Sequence, residues 1–225
     1  MASYFTLTLD TLGPQTPSVV INAGASYAID QVVTLGISTS DSDTTGYQIK
    51  VWGDVDPSYD GNVLTTEIAS AWSTYVTSKQ VKLSSGGGVK TVYLKIRDDV
   101  WNPSSQANDT ITLDQTLPVV SMPIGPDNIK ISKQAGKDVC SFSFQADTAF
   151  TDFVVKVVPT IDALHTAGTQ IPTAGGSTNM SGSGSYSAAT NIACQITGTD
   201  LEAVGSELNI IKVFIKETSG NWSAL

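Results

Sequence analysis

Val92-Tyr93-Leu94-Lys95-Ile96-Arg97-Asp98, followed by Asn102-Pro103-Ser104, has a second copy in this chain: Ile211-Lys212-Val213-Phe214-Ile215-Lys216-Glu217, followed by Asn221-Trp222-Ser223. The copies align without a gap. Val92, Leu94 and Ile96 fall on one face of an extended chain, and Tyr93, Lys95 and Arg97 on the other. That period of two marks a half-buried strand. Ile211, Val213 and Ile215 keep the same phase against Lys212, Phe214 and Lys216. A duplicated strand with its own turn points to a duplicated all-β domain.

What flanks each copy differs. The first leads into Ile111-Thr112-Leu113-Asp114, with Pro118 four positions on; the sequence ends at Leu225, shortly after the second. Leu7-Thr8-Leu9-Asp10, with Pro14 four positions on, repeats that strand at the N-terminus. The pattern predicts an unfilled sheet edge beside Ile211, Val213 and Ile215. It also predicts a spare strand carrying Phe5, Leu7 and Leu9.

The 225 residues carry a formal net charge of -9, with only 12 lysines and arginines. Nucleic acid needs clustered cations on its phosphates, and anionic membrane surfaces need the same; neither is an expected partner. No stretch approaches the ~20 apolar residues of a membrane span. Met1 to Asp10 lacks the basic start and apolar core of a secretory signal, so the expectation is synthesis in a cytoplasm. Cys140 and Cys194 are expected there as free thiols.

Further strands are predicted at 4–10, 18–22, 31–38, 46–53, 79–84 and 109–114. In the second half they are placed at 129–132, 138–145, 151–158, 191–197 and 208–216. Gly86-Gly87-Gly88 suggests a tight hairpin between 79–84 and 90–97. Thr65 to Trp72 is the one helical candidate, and 173–190, rich in small polar residues, reads as a long surface loop. Short strands at regular spacing indicate antiparallel sandwiches. The expected organisation is an N-terminal strand over 1–14, one domain over 15–118 and another over 119–225.

The stretch from Lys90 to Asp98, with Asn102 and Ser104, resembles the immunoglobulin-like repeats of bacterial and phage surface proteins. In that family a strand of this type leads to a G-N-x-S turn. Gly220-Asn221-Trp222-Ser223 fits the turn, whereas Trp101 replaces its glycine in the first copy, which predicts a turn of different shape. Trp72, Tyr75 and Leu83 resemble the family's mid-domain segment. The resemblance covers residues 18–118 well and 119–225 less well. It implies two tandem immunoglobulin-like β-sandwich domains. Without an export signal, it further implies a tailed-phage virion protein, made in the host cytoplasm and reaching the outside at lysis.

Few residues invite chemistry. Asp54, Asp56 and Asp60 are weak calcium candidates, because acidic residues close together on a loop supply oxygen ligands; their spacing is not that of an EF-hand. Asp98 and Asp99 read as turn caps. His165 is the only histidine, so a catalytic triad would rest wholly on it. No G-x-S-x-G frames a serine, and Gly182-Ser183-Gly184 opens no helix as a phosphate loop would. No catalytic residue, metal or cofactor is expected. Trp52 reads as core; Trp101 and Trp222, in corresponding turns, read as sandwich caps or interface anchors.

These readings converge on a non-enzymatic structural protein of a virion, for capsid decoration, neck, collar or tail. Its expected partners are other virion proteins and further copies of itself as a homo-oligomer. The alternative is an adhesin-like module that grips a cell-surface glycan through 173–190 and exposed aromatics.

Overall fold

The computed structural model describes residues 5–205 and 208–223. The chain divides into two compact units, 1–115 and 116–225, each built from facing sheets as an all-β sandwich.

Unit 1 contains β1 (Ser18–Ile21), β2 (Tyr27–Ala28), β3 (Val32–Ser38), β4 (Gln48–Gly53), β5 (Val63–Leu64), β6 (Ser73–Thr74), β7 (Ser78–Lys82), β8 (Gly88–Arg97) and β9 (Ala107–Leu113). One sheet runs β1-β3-β7. The other runs β2-β9-β8-β4-β5, with β6 sharing the far edge of β4. Val19, Ile21, Leu35 and Val81 from the first sheet pack against Ile49, Leu94, Ile96 and Ile111 from the second. Val92, Leu94 and Ile96 are fully buried, so the predicted phase of β8 holds.

Unit 2 contains β10 (Val120–Ile124), β11 (Val139–Ala146), β12 (Phe150–Val158), β13 (Thr169–Gln170), β14 (Ser181–Tyr186), β15 (Ile192–Thr197), α1 (Gly198–Val204) and β16 (Ile210–Glu217). One sheet runs β10-β11-β15. In the other, β12 carries β13 and β14 along one edge and β16 along the other. The two units therefore share a plan in which β3 and β11, β4 and β12, and β8 and β16 correspond. Phe142, Phe144, Phe153, Val213 and Ile215 lie in the second core. Phe214, on the other face of β16, is also fully buried, against Val158 and Ala163.

The repeated turns superpose bond for bond. Asp98 N donates to Asn102 O (3.2 Å) and Ser104 N to Ile96 O (2.7 Å); Glu217 N donates to Asn221 O (2.9 Å) and Ser223 N to Ile215 O (2.9 Å). The hydroxyls of Ser104 and Ser223 accept from Ile96 N and Ile215 N. The expected difference in turn shape is therefore absent. Trp101 adopts φ +73° where Gly220 has φ +105°, so tryptophan bears a left-handed backbone that glycine takes at little cost.

Several sequence expectations are corrected. Phe5 to Asp10 forms no strand; Phe5, Leu7 and Leu9 are 85%, 86% and 85% exposed. (Tyr4 lies outside the described residues.) Thr65 to Trp72 is irregular, because it has no apolar face to bury and begins with two β-branched threonines. The three glycines do not close a hairpin: β7 and β8 belong to different sheets, and Gly86 (φ +84°) and Gly88 (φ +118°) turn the chain between them. Residues 129–132 are not a strand, while Val120–Ile124 is.

The stretch 173–190 contains β14, paired with β12. Its small residues are what let it pair: a Cβ on Gly182 would lie 2.3 Å from the Phe153 ring. Unforeseen α1 begins at Thr197, whose hydroxyl accepts from Asp200 N (3.3 Å) as an N-cap. Asp200, buried, accepts in turn from Gly175 N (2.6 Å) and Ser177 N (2.8 Å).

Ser104→Ala and Ser223→Ala each leave a buried strand amide without its acceptor. Each is expected to cost about 1–3 kcal/mol, measured by urea unfolding of the two variants. Changes within about 0.5 kcal/mol would show that the hydroxyls are dispensable to the turns.

Candidate functional site

Two surfaces are distinctive: the outer edge of β16 in unit 2 and an aromatic-cationic shelf on unit 1.

In unit 1, β8 pairs with β4 on one side and β9 on the other, with Val92 opposite Asp109 and Lys90 opposite Ile111. In unit 2, β12 is the one described strand that pairs with β16. Its C-terminal half is closed by the turn-back, through the bridge of Lys216 to Trp222. Towards Ile211 and Val213, no described strand takes the place of β9. Burial registers the difference: Val92 is fully buried, whereas Ile211 is only partly buried; Val213 and Ile215 remain in the core. The expected open edge is therefore present among the described residues. The segment predicted to fill it, carrying Phe5, Leu7 and Leu9, is exposed and joins no described strand.

The flank of that edge differs in the same way. In unit 1, β2 runs parallel to the far side of β9, with Tyr27 opposite Thr112 and Ala28 opposite Leu113. In unit 2 the chain after β10 forms no strand before β11, and its Ile129 is 91% exposed. Ile131, two residues on, packs on the core.

The shelf lies on the outer face of β4 and β8. Trp52 is buried there, stacked on Tyr93 with centroids 5.6 Å apart, and so lies outside the apolar core where sequence placed it. Lys50 and Lys95 face each other across the strands, a repulsive pairing that Glu67 neutralises by accepting from both (3.3 and 2.9 Å). Those lysines, Lys95 foremost, hold the Glu67 carboxyl below its ordinary range. Lys50 Nζ sits 4.4 Å from the Trp72 ring centroid; the Arg97 guanidinium lies 4.6 Å from Trp72 and 4.8 Å from Trp101. Cation-π contacts of this kind contribute about 0.5–1 kcal/mol each at exposed sites. The groove is lined by Lys50, Glu67, Trp72, Arg97, Trp101 and Pro103. Trp101 is 69% exposed, and an exposed aromatic on a left-handed backbone is a marked site.

Trp222 does not correspond to Trp101; it occupies the position of Pro103. It stacks on His165 at 4.6 Å. Burial, then the charges of Lys156 and Lys216, hold the His165 imidazole below its ordinary pKa.

The three calcium candidates spend their carboxylates elsewhere. Asp54 accepts from Thr91 N (2.8 Å). Asp56 pairs with Lys82 (2.8 Å) and Asp60 with Lys79 (2.5 Å). Among the described residues no group of three or more His, Cys, Asp or Glu could hold a metal ion. Cys140 and Cys194 are free, Cys194 buried, and burial pushes its thiol up to about 12.

No known family model matches the sequence, and no curated protein matches it. Among solved structures, chitinase ChiA74 from Bacillus thuringiensis aligns over 92% of this chain and 30% of its own, at 14% identity and a TM-score of 0.31. A tetra-tandem repeat in the extending region of a large adhesion protein aligns over 95% and 48%, at 15% identity and a TM-score of 0.27. This chain spans less than half the length of either. Among the described residues, no helix is long and apolar enough to cross a membrane.

Asp56 is held down to about 2, first by the Lys82 hydrogen bond and then by Ser58. A carboxyl depressed on folding contributes stability above its unfolded pKa of 3.8 and loses it as pH falls towards 2. Thermal melts are expected to drop across that window. Asp56→Asn should melt lower at neutral pH and lose less between those limits; equal losses in both proteins would remove Asp56 from the acid response.

Proposed function

We propose that this chain is a non-enzymatic structural virion protein of a tailed phage, acting through protein–protein contacts in capsid decoration, at the neck or collar, or on the tail. The observation that carries the reading is the edge of β16 towards Ile211, beside which no second strand lies among the described residues. An uncovered edge strand is a template for pairing with another chain, and exposed Phe5, Leu7 and Leu9 are a strand's worth of alternating apolar residues in the same molecule. The resemblance of the Lys90–Asp98 block to repeats of phage surface proteins supplies the setting. The weakly charged surface, with 15% charged residues, suits packing among other proteins.

The shelf of unit 1 favours a second reading, a module for cell-surface glycans. Trp101 offers an exposed ring beside Lys50, Glu67 and Arg97, which can hydrogen-bond hydroxyls around a stacked sugar. The stretch 173–190 contributes less to it than its composition suggests, since β14 ties part of it into a sheet.

Gold-labelled antibody against the chain should decorate released phage particles at one discrete position under the electron microscope. Particles without label, together with glycan-array binding abolished by Trp101→Ala, would overturn the virion reading in favour of the adhesin.

A further inference from the structure

We infer that the shelf on the outer face of β4 and β8 binds an acidic saccharide, one whose pyranose rings carry carboxylates. The free face of Trp101 stacks on a sugar ring, and the Arg97 guanidinium takes its carboxylate. The inference rests on the glycan reading of that shelf and names the class of sugar and the side chain that selects it.

Three observations converge on that ligand. First, the groove is cationic in a chain whose formal net charge is -9. Lys50, Lys95 and Arg97 line it, with Glu67 as its one carboxylate. Glu67 is spent on the two lysines (3.3 and 2.9 Å). Arg97 donates through Nε to Gln48 Oε1 (2.7 Å); among the described residues its terminal nitrogens have no hydrogen-bond partner and its charge has no carboxylate. Trp72 and Trp101 lie against the guanidinium, so it offers a held fork, the donor geometry that a carboxylate accepts through both oxygens. Second, Trp101 stands where the other turn has Gly220. Gly220 closes the same hydrogen bonds without a side chain, so the turn does not need the ring. A tryptophan at φ +73°, with 69% of its surface exposed, is strain and apolar area at a place where packing calls for neither. Third, unit 2 balances the cations of the same face internally. Lys216, at the position of Arg97, faces Asp152 across the strands, whereas Arg97 faces the neutral Gln48. Lys212 Nζ donates to Ile161 O (3.0 Å) and Ala163 O (2.8 Å), and Lys156 Nζ to His165 O (2.6 Å). Phe214, at the position of Lys95, is fully buried.

A sugar suits the place better than an acidic peptide. The groove measures about 420 Å³, within the range of small-ligand sites. It lies on a sheet face, and β8 beneath it is paired on both sides, with β4 and β9. An extended peptide therefore finds no edge of β8 to pair with, whereas a saccharide needs only a ring surface and polar groups around it. The C–H face of a pyranose packs on the indole of Trp101 by dispersion. Arg97 fixes the carboxylate, Lys50 and Lys95 donate to neighbouring hydroxyl oxygens, and Glu67 accepts from a hydroxyl. Neutral sugars keep the stacking and lose the charge-assisted pair, so the guanidinium sets the preference for acidic ones.

The test titrates the full chain, by tryptophan fluorescence and calorimetry, with trigalacturonate and sialyllactose and with their neutral counterparts, methyl-esterified trigalacturonate and lactose. At least one acidic probe is expected to bind about tenfold or more tighter than its counterpart, and to weaken as salt is raised. Arg97→Gln is expected to remove that preference, with Arg97→Lys falling between. Trp101→Gly, which gives the first turn the residue of the second, is expected to abolish binding while melting no lower than the parent. Neutral probes bound as tightly as acidic ones, and lost with Trp101→Gly, would remove the acid requirement and leave a glycan module. No binding of either acidic probe would overturn the inference, and a glycan array without a bound sugar would remove the glycan reading with it. Acidic-probe affinity unchanged in Arg97→Gln or in Trp101→Gly would also overturn it. Hexaglutamate bound more tightly than both acidic saccharides would put an acidic polypeptide in the groove instead.

Discussion

The amides and carbonyls along the outer edge of a sheet must be paired or face water, and the two units of this protein meet that requirement differently. In unit 1, β9 covers β8 and is flanked in turn by β2, so Val92, Leu94 and Ile96 lie fully inside. In unit 2 the same strand, with the same turn and phase, carries a described partner strand on one side only. The half of β16 nearest the turn is closed by Ser223 and Trp222; the half towards Ile211 is where the two units part.

The conserved architecture of the turns fixes where the difference falls. Ser104 and Ser223 cap the last core amides of their strands, and Asn102 and Asn221 hold the segments entering their units. Trp101 accepts φ +73° to stay in that turn, with the Arg97 guanidinium over its ring. The outer face of β4 and β8 is therefore stabilised by alternating rings and cations, with Glu67 neutralising the two lysines that face each other. That face sets aromatic rings and charged groups side by side.

Strands with unbroken alternation could be read directly from sequence: β3 and β8 bury one face, and period two is visible without any partner; β11 and β16 keep the expected core phase, with Ser143 and Phe214 buried on their other faces as well. The correspondence of β8 and β16 was legible too, because it depends on comparing two copies rather than on judging one. What escaped was structure made by small residues and by single hydrogen bonds. β14 lacks apolar alternation, and its pairing depends on the space that glycine leaves for Phe153. The helix α1 rests on a threonine cap and a buried aspartate fixed by backbone amides distant in sequence. Trp52 looked like core because its strand is apolar, yet it lies on the opposite face, stacked on Tyr93. The glycine triplet showed a reversal but not that the reversal changes sheets.

The close approach of the Phe153 ring to the Cα of Gly182 has a practical side. A run of serines and glycines is where an engineer would splice an affinity tag or a fluorophore attachment point, expecting indifference. Here that run is threaded beneath an aromatic ring, and even a methyl group at its centre has nowhere to go. The safer place for cargo is the exposed turn after β14, at 187–189, not the stretch whose letters look most interchangeable.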